Sequence, residues 1–415
     1  MSEHQAPQSS GVTARLLAGF LALDPAIWRL ALARSINTMG FSLVMPFLAL
    51  YLVRDRGASG ATFGLVYLLS GICSAVGQAV AGELTDRVGR RKVMVGGLLF
   101  RMLTMAALGF AVLAEGPVLL VGGLVVLAGF LRAIFEPPAS AAVTELAPPQ
   151  ARVAAFGLQR MGVNLGWAVG PALGGLLAAQ SYGALFFVAA PATLLAILAV
   201  LPIPDGGGSA ARSAEPFTPR AIAAALRENR PFALYLGLVL VASILTVQIF
   251  STLSVYASTE LGLTEADVGL LYTVNGVLVV LFQVPAVQLV GLFGMRRTLV
   301  LGAALYAAAY LLFGAAAGFV GLALGMAVLT LGEVIFAPAL SDLAATLGDP
   351  KRMGRAFGLF GLTQSLGLSL GPLLGGVAYD GLRGDPLTLW GIFAVGMAAV
   401  AAAYALLGSR LRLAQ

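Results

Sequence analysis

The chain has 415 residues, 59% of them hydrophobic and only 11% charged, with a net charge of +6 and a mean hydropathy of +0.93. No soluble core needs that much apolar sequence, so composition excludes an ordinary soluble enzyme or nucleic-acid module and points to a polytopic membrane protein. Allowing roughly 35 residues per span and loop, built on a ~20-residue minimum span, about twelve helices fit; the apolar runs are too long and too unalternating for barrel strands.

Residues 1–11 are polar, and Val12–Leu23 has an apolar face suited to lying along a membrane surface; no cationic start with a small-residue cleavage site precedes the first apolar run, so no cleaved signal peptide is expected. Spans are expected at 27–52, 61–84, 93–114, 118–146, 153–180 and 185–203, and again at 232–257, 266–290, 298–317, 321–346, 354–379 and 388–408. Between the sets, Pro202–Pro231 changes character, with Gly206–Gly208, four arginines and a surface helix expected to be capped by Thr218 and begun at Pro219. The expected organisation is an N-terminal tail and surface helix over 1–26, a six-helix bundle over 27–203, a linker over 204–231, a second bundle over 232–408 and a tail over 409–415. Arg87, Arg90, Arg91, Lys92, Arg152, Arg227, Arg296, Arg297, Lys351, Arg352 and Arg410 all fall on one side of these spans, against Arg54, Arg56 and Arg383 on the other. That bias places the basic loops and both termini in the cytoplasm, so the positive charge reflects topology and lipid contact rather than nucleic-acid recognition. Cys73 stands alone and His4 is the single histidine, which leaves no disulfide framework, thiolate metal site or histidine relay.

The two halves are repeats. A shift of 205 residues carries Gly64, Tyr67, Gly71, Gln78, Gly89 and Arg91 onto Gly269, Tyr272, Gly276, Gln283, Gly294 and Arg296. A shift of 201 carries Phe135, Pro137 and Ser140 onto Phe336, Pro338 and Ser341, and Gly170-Pro171 onto Gly371-Pro372. The charged turn Gly82–Lys92 lies between two long apolar runs and has to face water. Its pattern Gly82, Leu84, Asp86, Arg87, Gly89, Arg90, Arg91, Lys92 closely resembles motif A, the loop between helices 2 and 3 of major facilitator superfamily transporters. The resemblance covers essentially the whole chain and implies that superfamily's all-α fold, with twelve spans in two pseudo-symmetric six-helix bundles. It further implies that Gly82, Asp86, Arg87, Gly89, Arg90, Arg91 and Glu145 form a cytoplasmic gate. In that gate Asp86 faces the start of helix 11 near Gly354, and Glu145 pairs with Arg90 or Arg91. The second half has Gly291 in place of Asp86, so the latch is expected on one side only.

Helix 5 carries Gly162, Gly166, Gly170 and Gly174 at four-residue intervals with Pro171 and Gly175, which puts small residues along one face for close helix packing. Gly166, Gly170, Pro171, Gly174 and Gly175 also resemble motif C, the pattern of proton-driven drug antiporters, although its partial recurrence at Gly367, Gly371, Pro372, Gly375 and Gly376 is also what duplication alone produces. Charges inside spans are functional candidates because they are expensive there. Arg132, which resembles the motif B arginine, and Glu136 are i,i+4 neighbours and are expected to pair on one helix face. Glu333 sits at the repeat position of Arg132 with Leu329 and Ala337 as its helical neighbours, so it has no local ionic partner and is the favoured proton carrier. Arg132 and Glu333 are also expected to pair across the bundle in one access state. Arg34, Asn37, Thr38, Phe41, Tyr67, Gln248, Tyr272 and Asn275 suggest a roomy cavity, and Arg101 and Arg160 are expected to snorkel to the cytoplasmic surface.

The sequence therefore reads as a proton-coupled antiporter of the cell membrane that exports amphipathic or lipophilic small molecules by alternating access. The energy source is the proton gradient rather than a cofactor, and no metal is expected. Expected partners are a small-molecule substrate, protons and anionic lipids, with no nucleic acid, and the protein is expected to act as a monomer. Alternatives are an exporter of a metabolite or sugar, or a non-transporting membrane sensor or assembly factor. No metal-ligand cluster, phosphate loop or nucleophile–base set suggests an enzyme.

Overall fold

The computed structural model describes residues 23–148, 151–205, 226–348 and 353–407. The expected surface helix over Val12–Leu23, most of the linker over 204–231 and the tail over 409–415 lie outside the described residues. Twelve helical segments are long and apolar enough to cross a membrane: Pro25–Asp55, Gly60–Thr85, Arg90–Leu113, Val118–Leu146, Ala154–Ala178 and Tyr182–Val200, then Arg230–Thr259, Glu265–Gln283, Met295–Ala315, Phe319–Leu347, Arg355–Gly381 and Pro386–Leu406. These are called spans 1 to 12. The described residues contain no strand.

Three spans are broken, each for a local reason. In span 4 the helix stops at Ile134 and restarts at Glu136. Pro137 and Pro138 lack the amide hydrogens that would have reached the Ala133 and Ile134 carbonyls, so the regular ladder cannot pass. Span 1 leaves the α-helical pattern at Leu43–Val44, ahead of Pro46, and ends in a π-turn over Tyr51–Asp55. Span 7 changes to a 3₁₀ turn at Val247–Ile249 before resuming at Thr252. The exposed carbonyls at these breaks are taken by tyrosines, with Tyr67 donating to Met45 at 3.1 Å and Tyr272 donating to Ile249 at 2.5 Å.

The helix 5 glycines form the seam with span 1. A Cβ on Gly162, Gly166 or Gly174 would stand 2.5–2.6 Å from the carbonyl oxygens of Ala31, Ser35 and Leu43 respectively, and one on Gly170 would meet the Ser42 hydroxyl at 2.0 Å. Only glycine lets these backbones come so close. Gly175 has a different partner, since a Cβ there would lie 2.7 Å from the Cα of Gly269 in the other half of the chain.

The two halves touch mainly at the face opposite the Gly82–Lys92 turn, here called the far face. Along spans 2 and 11 the contacts run Gly60 to Gly376, Gly64 to Leu373 and Gly71 to Ser369. Nearer the basic face the seam opens: Ala75, Gln78 and Ser365 are exposed, and Gly82 and Gly361 have nothing within 4 Å of an added Cβ. The described residues thus enclose a cleft between the halves that opens toward the basic face.

Candidate functional site

The roof of the cleft is aromatic. Phe41 of span 1, Trp167 of span 5, Phe250 of span 7 and Tyr272 of span 8 form a ladder with ring centroids 5.9, 4.8 and 5.5 Å apart. The middle rung crosses from one half of the chain to the other. Arg132 caps the first-half end of the ladder, with its guanidinium 4.4 Å from the Phe41 ring centroid.

Arg132 does not pair with Glu136. Glu136 begins the helical segment that follows the interruption at Phe135, and among the described residues it makes no ion pair with Arg132. Glu136 instead accepts from Arg34 of span 1 at 2.7 Å, and Arg34 also donates to Ser140 at 3.1 Å. Breaking a buried pair on one side leaves a stranded charge at about 3–5 kcal/mol, less where one partner reaches water. Arg34 is buried, whereas the Glu136 side chain is 35% exposed. A double-mutant cycle of Arg34→Met and Glu136→Gln is therefore expected to give about 1–3 kcal/mol of coupling in thermal unfolding, and the same cycle with Arg132→Met a smaller value, because Glu136 acts on Arg132 without an ion pair.

Arg101 does not snorkel. It is 1% exposed and donates to the backbone carbonyl of Asn37 at 3.2 Å and to the Asn37 side-chain oxygen. Arg160 is exposed at the surface. Arg101 and Arg132 line one pocket between spans 1, 2, 3 and 4, together with Phe41, Met45, Tyr67 and Ser70.

In the second half Glu333 accepts a hydrogen bond from the Asn275 side-chain nitrogen at 2.8 Å, and that nitrogen also donates to Thr330 at 2.9 Å. Among the described residues no ion pair involves Glu333, and the cross-bundle pairing with Arg132 is not formed in this state. Gln248 is fully buried and is used up within its own half, donating to the carbonyls of Ile244 at 2.7 Å and Gly371 at 2.9 Å. Gln248 and Tyr272 therefore fix helix breaks and seams rather than offering free polar groups to a cargo. Asn37 holds Arg101, Thr38 packs beside Gly166, and Phe41 and Tyr67 line the pocket described above.

At the basic face Gly89, with φ of +95°, makes the turn between spans 2 and 3. Its repeat partner Gly294, with φ of +77°, does the same between spans 8 and 9. Arg90 pairs with Glu145, and Arg87 with Glu83 one turn away. The Asp86 side chain lies outside the described residues, as do those around Gly354. Asp205, absent from the sequence expectation, accepts from the backbone nitrogen of Arg91 at 3.1 Å and so occupies the N-terminus of span 3.

The far face carries a second set of charges between the halves. Asp380, at the end of span 11, accepts from the backbone nitrogens of Gly60 and Ala61 at the start of span 2, both at 2.9 Å. Arg54 pairs with Glu265 and donates to Ser258 at 2.6 Å, while Tyr182 donates to Glu265 at 2.7 Å. Spans 2 and 11 thus run antiparallel, each with an aspartate close to its own C-terminal end, Asp86 on the basic face and Asp380 on the far face.

The sequence matches the Major Facilitator Superfamily over residues 30–264 and 236–414. The chain belongs to that superfamily. Curated relatives of this transporter include the uncharacterized MFS-type transporter YqjV of Bacillus subtilis, 25% identical over 393 residues and covering 92% of this chain and 94% of YqjV. Another is the quinolone resistance protein NorA of Staphylococcus aureus, 24% identical over 347 residues and covering 82% of this chain and 87% of NorA. In three dimensions the transporter resembles the nucleoside transporter NupG, with a TM-score of 0.75 at 16% identity over 92% of this chain and 99% of the other. It resembles a bacterial homologue of the lysosomal transporter Spinster comparably, with a TM-score of 0.72 at 16% identity over 93% and 96%. The structural likenesses show the twelve-span, two-bundle fold, and the superfamily match makes the chain a multi-pass membrane transporter.

Proposed function

We propose that the transporter is a proton-coupled antiporter that exports amphipathic small molecules across the cell membrane by alternating access. The observation that carries the reading is Glu333, a carboxyl inside span 10 held by Asn275 and without a cation among the described residues. A carboxylate placed this way is expensive to keep charged, and a proton removes the expense, so occupancy by a proton and the state of the cleft are coupled. The cleft opens toward the face that carries most of the loop arginines, which the positive-inside rule makes the cytoplasm, with both termini on that side. Cargo enters there, and the aromatic roof of Phe41, Trp167, Phe250 and Tyr272 separates it from the exit. Similarity to NorA supports efflux as the direction of transport.

The cytoplasmic gate follows the same logic. In the state described, Asp380 holds the N-terminus of span 2 and the far face is shut. In the opposite state Asp86 holds the N-terminus of span 11, and the Asp380 contact is released. Each aspartate favours its own closed seam through the positive end of a facing helix. Export of a metabolite by the same machinery is the second reading, favoured by the two guanidiniums of the first-half pocket.

The test is uptake of the fluorescent cation ethidium by proteoliposomes under an imposed pH gradient. Accumulation that follows the gradient and collapses with a protonophore is the expected result. A pH-independent leak equal to that of empty liposomes, for ethidium and for an amphipathic carboxylate alike, would remove the antiport reading.

A further inference from the structure

The first half of the chain holds more positive charge at membrane depth than it can neutralise. Arg34 is matched directly by Glu136, which acts on Arg101 and Arg132 only at longer range, and among the described residues neither of these two makes an ion pair with a carboxylate. Arg101 is 1% exposed, and its Nε, like that of Arg132, is buried without a hydrogen-bond acceptor. Buried nitrogen donors are nearly always satisfied, and here two residues lining a single pocket each keep one without an acceptor. The neutral acceptors already present, the Asn37 oxygens and the Phe41 ring face, hold the guanidiniums in place without cancelling their charge.

The repeat shows how specific this is. The 205-residue shift that carries Tyr67 onto Tyr272 also carries Ser70 onto Asn275 and Arg101 onto Tyr306, and the 201-residue shift carries Arg132 onto Glu333. The equivalent place in the second half is therefore built from Asn275, Tyr306 and Glu333, with the opposite sign of charge. Gly97 and Gly302, repeat partners as well, bring span 3 against Ile134 of span 4 and span 9 against Phe336 of span 10. Packing alone gives no reason for the same scaffold to carry two cations on one side and a carboxyl on the other.

From this we infer that Arg101 and Arg132 form a subsite for the carboxylate of an amphipathic cargo, a monoanion or a zwitterion. The pocket they line holds about 420 Å³ of atom-free space, counting its open mouth. Its walls of Val44, Leu48, Met105 and Leu108 suit an apolar body, and Phe41 adds a ring face. A planar carboxylate can take two parallel N–H donors from a guanidinium, and the charge-assisted bond strengthens as water is excluded. An inorganic anion such as chloride shares the charge but gains nothing from these walls.

This deepens the transport reading and rests on it, yet it is tested by binding alone. Purified protein in detergent would be titrated with 1-pyrenebutyrate, its methyl ester and 1-pyrenebutylamine, which share one apolar body and differ in charge. The carboxylate is expected to bind at least about tenfold more tightly than the ester or the amine. Arg132→Gln is expected to erase that preference while leaving ester binding unchanged, because the ester carries no charge for Arg132 to hold, and is read with a melting temperature that shows a folded protein. Arg132→Lys should restore part of it. Arg101→Gln should act in the same direction, read only if its melting temperature shows a folded protein.

Equal binding of the three probes, or a carboxylate preference that survives Arg132→Gln, would overturn the subsite. So would chloride abolishing the preference while protecting the protein from heat as well as the carboxylate does, since the site would then hold an inorganic anion only. Binding without gradient-driven movement would sink the antiport reading and keep the subsite; movement of ethidium without carboxylate preference would do the reverse.

Discussion

Glu333→Gln is expected to abolish uphill, gradient-driven transport while leaving downhill exchange of cargo between the two sides of the membrane. The amide is nearly isosteric with the protonated acid and can still accept from Asn275, so the fold and the Thr330–Asn275–Glu333 arrangement should persist. What the variant loses is the change of charge. A carboxylate at this depth, with no cation among the described residues, favours whichever state gives it water or a counter-ion, and the neutral form does not. Without that difference a proton gradient has no means of biasing one state over the other. Accumulation should fall by about a hundredfold or to the level of empty liposomes, since a population ratio moves tenfold for each ~1.4 kcal/mol of lost bias. Full accumulation in Glu333→Gln would move the proton site elsewhere, with Glu136 the next candidate.

A second large effect is expected at the far-face seam. Gly376→Leu should hold the far face open and stop transport without unfolding either half. A Cβ on Gly376 would lie 2.0 Å from the Gly60 carbonyl oxygen and 3.0 Å from the Ala61 nitrogen, which is backbone and cannot move aside as a side chain would. The same displacement removes Gly60 and Ala61 from Asp380. Spin labels at Thr62 and Arg383, both exposed on the far face in opposite halves, would report the separation in a background with Cys73 replaced. The wild type should show a substantial short-distance population and Gly376→Leu almost none. An unchanged distribution in a folded variant would mean that the seam does not set the equilibrium. Asp380→Asn should move the same distribution by a smaller amount, because only the charged part of two hydrogen bonds is lost.

The fold was legible because hydrocarbon imposes a length and a polarity on every span, and because the repeat at 205 and 201 residues survives in glycines and prolines that the backbone needs. Gly89 and Gly294 recur since both turns require a positive φ, and Gly166 and Gly170 since span 1 lies against them. The charges were harder to read. The i,i+4 spacing within span 4 pairs Glu136 with Arg132, whereas its ionic partner is Arg34, which comes from span 1 and leaves no trace in the spacing of span 4. Snorkelling of Arg101 to the cytoplasmic surface is expected from its place a few turns into span 3, yet it lies eleven residues inside the start of that span at Arg90. At ~1.5 Å per residue that is roughly 17 Å, the middle of a bilayer, so the signal was a matter of helical rise. Trp167 and Phe250 carried no such signal. Their contact depends on how spans 5 and 7 cross between the halves, which periodicity within one span does not encode. The same holds for Asp380, whose partners belong to a helix some 320 residues earlier.

The most direct test of coupled exchange is proton movement caused by cargo. Proteoliposomes loaded with the pH dye pyranine, at equal pH on both sides and with the membrane potential clamped, would receive cargo on one side only. Proton flux is expected in the direction opposite to cargo, saturating with cargo concentration and absent in Glu333→Gln. Cargo entry at the same rate with no change in internal pH would contradict it.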